Sequence, residues 1–273
     1  MLTLEKPLIL DAQYALTQEQ KDKFRTDGFI KLKNVFPADV LEYYGNEISG
    51  QVFRLNTLIK PMSERTTYEK AFLQVMNIWT KSEIVKEFCF GKRLARLAAE
   101  LMGTDGVRMY HDQALYKEPN GGLTPWHADQ SYWPLSTEKT VTVWIPLQYT
   151  PMDMGPLAFS VGSHKYAVGR GMEISDESEQ RISKELLDKK LPMDESPFDL
   201  GEVSFHYGWT FHRAGPNVSK SPRKVMTIIY MDKDIRVAQP QSKAQTNDWN
   251  GWLPGTKIGE VAASPINPIL WEK

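Results

Sequence analysis

The chain of 273 residues contains one cysteine, Cys89, set between Phe88 and Phe90. A lone thiol excludes an internal disulfide. Its aromatic neighbours point to plain core packing and its isolation suits a reducing compartment. Neither sign of charge dominates: 33 basic residues stand against 34 acidic ones, spread along the chain. That balance leaves no basic stripe for nucleic acid and no patch for an anionic membrane. Long hydrophobic runs are missing too, since no stretch approaches the ~20 apolar residues of a transmembrane helix. Met1-Leu2-Thr3-Leu4-Glu5-Lys6-Pro7 has neither the basic start nor the apolar run of a signal peptide. Internal repeats and low-complexity tracts are absent. These absences lead us to expect a cytoplasmic protein with no nucleic-acid or membrane partner, and they carry no signal for a particular oligomer. With 41% hydrophobic and 25% charged residues the chain can fill one large core, so a single domain over 1–273 is expected.

Histidine is scarce as well, and the five present carry the functional argument. His111, His164, His206 and His212 are followed at the second position by Gln113, Tyr166, Gly208 and Ala214; His127 alone is followed there by a carboxylate, in Trp126-His127-Ala128-Asp129. Residues two apart on a strand point to the same side, so His127 and Asp129 can reach one metal ion. The best third ligand is His212, in Thr210-Phe211-His212-Arg213-Ala214-Gly215-Pro216-Asn217. Two imidazoles and one carboxylate leave three positions open on a metal, the facial arrangement of non-haem Fe(II) oxygenases. Arg223 follows at the head of the strand-like run Val225-Met226-Thr227-Ile228-Ile229-Tyr230. Its planar fork suits the far carboxylate of a dicarboxylic co-substrate. On spacing alone an alternative stays open, in which His127 and His212 are hydrogen-bonded core or turn residues and Asp129 is a turn carboxylate.

Taken in order, residues 1–16 read as a loosely ordered arm. Thr17 and Gln20 then form a capping box for a helix that Asp27-Gly28 ends. Phe29-Ile30-Lys31-Leu32-Lys33 alternates as a half-buried strand. Pro37-Ala38-Asp39 opens a helix whose apolar face runs through Val40, Leu41, Tyr44, Ile48, Val52 and Leu55. Residues 59–70 read as a loop, Tyr68 to Trp79 as a core helix in preference to a wall of a substrate pocket, and Ser82 to Met102 as one further helix. From Val107 the texture changes to short strands separated by Gly and Pro, near 107–117, 124–129, 139–148, 156–160, 201–206, 209–213 and 224–231. The expected fold is an all-β core with α elements: a double-stranded β-helix, or cupin-like jelly roll, flanked by N-terminal helices. The expected parts are a mainly helical flank over 1–106, a jelly-roll core over 107–235 with an insertion at 165–200, and a tail over 236–273. The insertion holds a helix near 175–187 with few apolar residues, read as a solvated surface helix in preference to a lid. The tail, with Trp249, Trp252 and Trp271, is expected to wrap the barrel or a partner subunit, since three indoles left in water would be unusual.

Several segments together resemble the phytanoyl-CoA dioxygenase family, and they come in that family's order. They are Asp112-Gln113 with Lys117-Glu118-Pro119, Trp126-His127-Ala128-Asp129, Val143-Trp144-Ile145-Pro146-Leu147, Met154-Gly155-Pro156-Leu157, Gly162-Ser163-His164-Lys165, and Gly201-Glu202-Val203 through His212 to Arg223. The resemblance implies that His127, Asp129 and His212 are iron ligands, that Arg223 holds 2-oxoglutarate, and that Gln113 and Trp144 line the same pocket. One departure stands out. Some relatives have a Ser two residues after the distal His to help bind the co-substrate, whereas this chain has Ala214, so Thr227 or Tyr116 is expected to supply a hydroxyl instead.

The function expected from these residues is an Fe(II)- and 2-oxoglutarate-dependent dioxygenase that uses O2 to hydroxylate, or otherwise oxidise, a C–H bond of a small organic substrate, releasing succinate and CO2. In related halogenases a small residue replaces the carboxylate, so Asp129 favours an oxygenase outcome over halogenation. Trp126, Tyr132 and Trp133 flank the metal motif and, with Trp79, are candidate substrate contacts. His206 and His111 read as structural or supporting groups, because the triad is already complete. The competing reading is a non-catalytic, metal-containing jelly-roll protein that binds a small molecule; Arg223 speaks against it.

Overall fold

The computed structural model describes residues 5–273. Where the sequence suggests a loose arm, Glu5–Asp11 form helix α1; residues 1–4 of that stretch lie outside the described residues. Leu10 is buried, and the Asp11 carboxylate accepts the Lys92 amide at 2.9 Å. Helix α2 (Gln18–Asp27) starts from the expected Thr17–Gln20 capping box and stops at Gly28, which is left-handed at φ 86°. Strand β1 (Phe29–Leu32) and helix α3 (Ala38–Leu55) follow as the periodicity predicts, with Val40, Leu41, Tyr44, Ile48 and Val52 on the buried face.

The next stretch departs from expectation. In place of one helix from Tyr68 to Trp79 there is a one-turn helix α4 (Thr67–Ala71), strand β2 (Leu73–Met76) and a 3-10 turn at Ile78–Thr80. A tertiary cause overrides the pattern. Leu73–Met76 finds an open edge on the following long strand, and the buried Asp112 carboxylate accepts the amides of Ile78 and Trp79, fixing the turn. The helix expected from Ser82 to Met102 is likewise divided, into α5 (Glu83–Cys89) and α6 (Lys92–Met102). Gly91 sits at the break, where a Cβ would come within 2.9 Å of Leu10 Cβ, so α1 can lie this close only because residue 91 has no side chain.

Strands β3 (Gly106–Lys117), β4 (Thr124–His127), β5 (Thr140–Pro146), β6 (Leu157–Ser160), β7 (Met193–Glu195), β8 (Val203–Tyr207), β9 (His212–Ala214), β10 (Arg223–Asp232) and β11 (Ile269–Glu272) form two antiparallel sheets. The larger runs β1-β8-β5-β10-β3-β11, with β2 also on β3; the smaller runs β4-β9-β6-β7. This is the expected jelly roll. Strand β10 shows how it is built. Met226, Ile228 and Tyr230 pack outward into the core shared with α3, α5 and α6, while Arg223, Val225, Thr227, Ile229 and Met231 face the interior between the sheets. Both faces are covered, which is why the run reads as almost continuously apolar.

Two peripheral elements close the barrel. Helix α7 (Asp176–Asp188), read from sequence as solvated, is fastened to β4: Glu179 accepts the Trp126 amide at 2.8 Å and pairs with Arg213 at 3.0 Å. Ile182 and Leu186 pack with Trp126 and Phe211. The tail wraps the barrel. Its helix α8 (Lys243–Trp252) brings Trp249 and Trp252 against a cluster that includes Tyr110, Trp133 and Leu253, and β11 pairs with the start of β3. No helix among the described residues is long and apolar enough to cross a membrane.

Gly155 has φ +65°, and a Cβ there would lie 2.1 Å from Gly215 O; Gly103 has φ +68° but open space around it. Gly103→Ala is expected to cost about 1 kcal/mol from backbone strain alone. Gly155→Ala should cost about 3 kcal/mol or more because two loops must also separate. Urea unfolding of the two variants measures the difference, and equal losses would show that the loop contact has slack.

Candidate metal centre and active-site pocket

Strands β4 and β9 place His127 directly opposite His212, with ring centroids 4.1 Å apart. Asp129 lies just beyond β4, as the first residue of a 3-10 turn, so the strand expected to run to 129 ends at His127. The turn brings Asp129 Oδ1 to 3.7 Å from His127 Nε2 and 3.6 Å from His212 Nε2. One donor atom from each residue falls within 4.8 Å of the others, a set that could hold a metal ion. The two imidazoles are oriented in the same way. His127 Nδ1 lies 2.7 Å from Pro125 O and His212 Nδ1 lies 2.9 Å from Thr210 O, so each Nδ1–H donates to a carbonyl two residues back. The Nε2 lone pairs are thereby left for a metal. The other carboxylate oxygen, Oδ2, accepts from Thr142 Oγ1 at 2.8 Å and from His206 Nε2 at 3.3 Å. His206 therefore supports Asp129, and Oδ1 is the oxygen left for coordination.

The electrostatics match that assignment. Burial pushes His127 and His212 down to about 4, with His212 and His206 respectively adding to the effect. Burial would raise the Asp129 carboxyl, but His212, His206 and His127 outweigh it and hold the group well below the usual carboxylate range. Near neutral pH the set is two neutral imidazoles and an ionised carboxylate, the form that binds a divalent cation.

Deeper between the sheets lies a second feature. Arg223, 2% exposed, opens β10; its Nη1 donates to Gly155 O, its plane lies 5.4 Å from the Trp144 ring, and its Nε has no hydrogen-bond partner. Directly opposite in register is Lys117, also buried. Its Nζ donates to Gly122 O at 2.6 Å, Gly215 O at 2.8 Å and Thr124 Oγ1 at 3.1 Å. Burial lowers Arg223 to about 9, so it stays cationic at neutral pH. Burial and then Arg223 lower Lys117 to about 6. The three acceptors around Nζ nevertheless take up three protons, which is the ammonium form. Among the described residues no carboxylate pairs with either group. Two buried cations without a counter-ion call for an anion from outside.

One cavity joins the two features. Gln113, Trp144, Thr227, Tyr132 and Trp133 line it together with the triad and Arg223. Gln113 Oε1 accepts from Gln74 at 2.6 Å, and the Thr227 hydroxyl donates to Gln113 O at 3.2 Å. Three candidates from the sequence lie elsewhere. Tyr116 is three residues from Gln113 on the same strand, hence on the opposite face; it packs in the outer core and its hydroxyl bonds to Ser49 at 2.8 Å. It cannot supply the hydroxyl missing at Ala214. Trp126 likewise alternates away from His127, toward α7, with Arg213 against its ring. Trp79 packs on Phe90 behind the turn held by Asp112.

Other lining residues went unread. Tyr68, Phe72, Gln74 and Met76 form a wall, so the stretch read mainly as a core helix contributes to the pocket. Thr124 lies opposite Ala214 in register, a cross-strand neighbour that no spacing rule announces. Asp248 and Trp252 reach the cavity from α8, beyond the strands.

The family model described as Phytanoyl-CoA dioxygenase (PhyH) matches residues 24–225. The chain is 25% identical over 231 residues to a probable alpha-ketoglutarate-dependent hypophosphite dioxygenase of Stutzerimonas stutzeri, covering 79% of each chain. It is 22% identical over 263 residues to the human peroxisomal phytanoyl-CoA dioxygenase, covering 85% of this chain and 73% of that one. Among solved structures, the epimerase SnoN, in complex with Fe3+, alpha ketoglutarate and nogalamycin RO, superposes with a TM-score of 0.77 at 23% identity, over 93% of this chain and 98% of that one. At that identity the likeness is one of fold.

Because both imidazoles already lack the proton, Mn2+ affinity is expected to stay flat between about pH 8 and pH 6, then fall below about pH 5 as protons compete for the rings. Calorimetric titration across that range measures it, and a steep loss already near pH 6.5 would mean that the rings keep their ordinary basicity.

Proposed function

The chain belongs to the phytanoyl-CoA dioxygenase family and is an Fe(II)- and 2-oxoglutarate-dependent dioxygenase, within which we propose that His127, Asp129 and His212 hold the iron and Arg223 the distal carboxylate of 2-oxoglutarate. The donor set supports this: two imidazoles oriented by their own backbone, one carboxylate oxygen left free, and coordination positions to spare. When bound, the iron supplies oxidation by dioxygen, with 2-oxoglutarate converted to succinate and CO2 and a substrate C–H bond oxidised. The observation that carries the co-substrate assignment is the buried Arg223 guanidinium, whose Nε is unsatisfied. A carboxylate there gains charge-assisted hydrogen bonds and removes the cost of a buried unpaired cation.

The residues around Arg223 complete the subsite. Thr124 stands across from Ala214, where some relatives have a hydroxyl, and Lys117 donates to its oxygen. The Thr124 O–H is then free to donate toward the anion, polarised by the ammonium behind it. Trp144, Leu157 and Phe72 line the cavity with apolar surface that keeps water from the reacting atoms. Gln113 and Thr227 bond to each other across β3 and β10 and hold the floor in register. Asp129, in place of a small residue, favours oxygenation over halogenation.

The substrate is proposed to be a small organic molecule. An anion such as hypophosphite, named for the Stutzerimonas relative, would need a cation of its own, whereas Arg223, the one arginine lining this cavity among the described residues, serves the co-substrate. The balanced charge supports action without nucleic acid or membrane, and the single buried thiol supports a cytosolic location. A protein that binds metal without catalysis is not favoured, since it has no use for an unpaired guanidinium beside the triad.

Asp129→Ala is expected to abolish Fe(II)-dependent succinate release, by about 100-fold or more, while the protein stays folded by circular dichroism. Retained turnover would end the ligand assignment. For 2-oxoglutarate uptake by the Mn2+-loaded protein, calorimetry should show about 100-fold weakening in Arg223→Ala and about tenfold in Thr124→Val, against less than about twofold in Thr227→Val. A larger effect at Thr227 than at Thr124 would reassign the hydroxyl.

A further inference from the structure

The cavity contains a carboxylate that neither iron nor 2-oxoglutarate uses. Asp248, on α8, lines it together with Trp252 of the same helix. Its Oδ2 accepts from the Tyr110 hydroxyl, which ties the carboxylate to β3. Burial raises its pKa to about 7 in spite of that bond, and no cation among the described residues is paired with it. Arg223 cannot provide one. The Tyr110–His111 end of β3 lies opposite Ile229, and Lys117 lies opposite Arg223. Six residues of strand separate the two ends, roughly 20 Å. Among the described residues no lysine lines the cavity, and His111 of β3, which does, is held neutral by burial at about 4.

The surroundings favour one kind of ligand. Tyr68, Tyr132, Trp133 and Trp252 line the same cavity. The Tyr68 hydroxyl donates to Gln74 at 2.7 Å and the Tyr132 hydroxyl accepts the Ile174 amide at 2.7 Å, so both oxygens are bonded within the wall and the rings add carbon surface to the cavity. Aromatic faces around a fixed carboxylate attract an organic cation, by cation–π contact and by charge, and give nothing to an anion. We propose that Asp248 and this aromatic group form the substrate-recognition subsite, and that the substrate class is an organic ammonium whose nitrogen docks at Asp248 and whose carbon chain extends toward the triad. The proposal rests on the oxygenase reading above. Asp248 lines the same cavity as His127, Asp129 and His212, which puts an ammonium-anchored chain in the space that the metal centre faces.

The test uses the full chain loaded with Mn2+ and 2-oxoglutarate at about pH 8, where Asp248 is ionised and an alkylamine protonated. Hexylammonium and its neutral isostere hexanol are titrated while the fluorescence of the cavity tryptophans is followed. Hexylammonium should bind at least about tenfold more tightly than hexanol in the wild-type protein, and the preference should shrink to less than about twofold in Asp248→Asn. Equal binding of the two probes by wild type overturns the proposal without any variant. So does an ammonium preference that survives in a folded Asp248→Asn. Calorimetric uptake of 2-oxoglutarate, expected to be unchanged in Asp248→Asn, separates this outcome from a failure at Arg223: a protein that takes up 2-oxoglutarate but does not discriminate the probes keeps the oxygenase reading and loses this one.

Discussion

One carboxylate among three imidazoles sets the terms for the rest of the molecule. Asp129 is drawn out of water, and an ionised carboxyl in that position needs compensation from every side. The groups around it come from separate strands: Thr142 from β5 and His206 from β8 donate to it, while His127 from β4 and His212 from β9 face it across the metal site. β5 and β8 belong to the large sheet, β4 and β9 to the small one. The two sheets must therefore meet at this point, and the curvature of the jelly roll is what brings them there. The helices behind the large sheet serve the same end, because β10 and β5 can turn polar residues inward only if their outward faces are covered, as Met226, Ile228, Val143 and Ile145 are.

Charge is laid out along the cavity in a fixed order. Two cations lie buried at the Lys117–Arg223 end, held by the carbonyls of Gly122, Gly155 and Gly215. Asp129 and Asp248 lie toward the other end, Asp129 bonded to Thr142 opposite Ile229 and Asp248 to Tyr110 at the same level of β3. The carbonyls orient the cations without neutralising them, which keeps their attraction for a visiting anion. The close approach of Gly155 to Gly215 is part of this arrangement, since both loops contribute an oxygen to the cation pair.

Much of the metal site was legible in the sequence because histidine is rare here and one histidine alone has a carboxylate two positions on. Arg223 was legible from its place at the head of an apolar strand. The errors have physical causes. Tyr116 with Gln113, and Trp126 with His127, are odd-numbered steps apart on a strand, and such residues face opposite sides of the sheet. The stretch from Tyr68 to Trp79 carries no strong period, and only the Asp112 carboxylate and the free edge of β3 decide it. The break at Gly91 depends on Leu10, some eighty positions away. Thr124 and Asp248 were missed for the same reason. Each acquires meaning from a neighbour that is distant in the chain, Ala214 for one and Tyr110 for the other.

The family match ends at residue 225, inside β10, whereas Asp248 and Trp252 belong to α8, between β10 and β11. The triad and this part of the cavity wall thus lie in different parts of the polypeptide and meet only on folding. Substitutions in α8 can therefore reshape that wall without touching a residue of the triad.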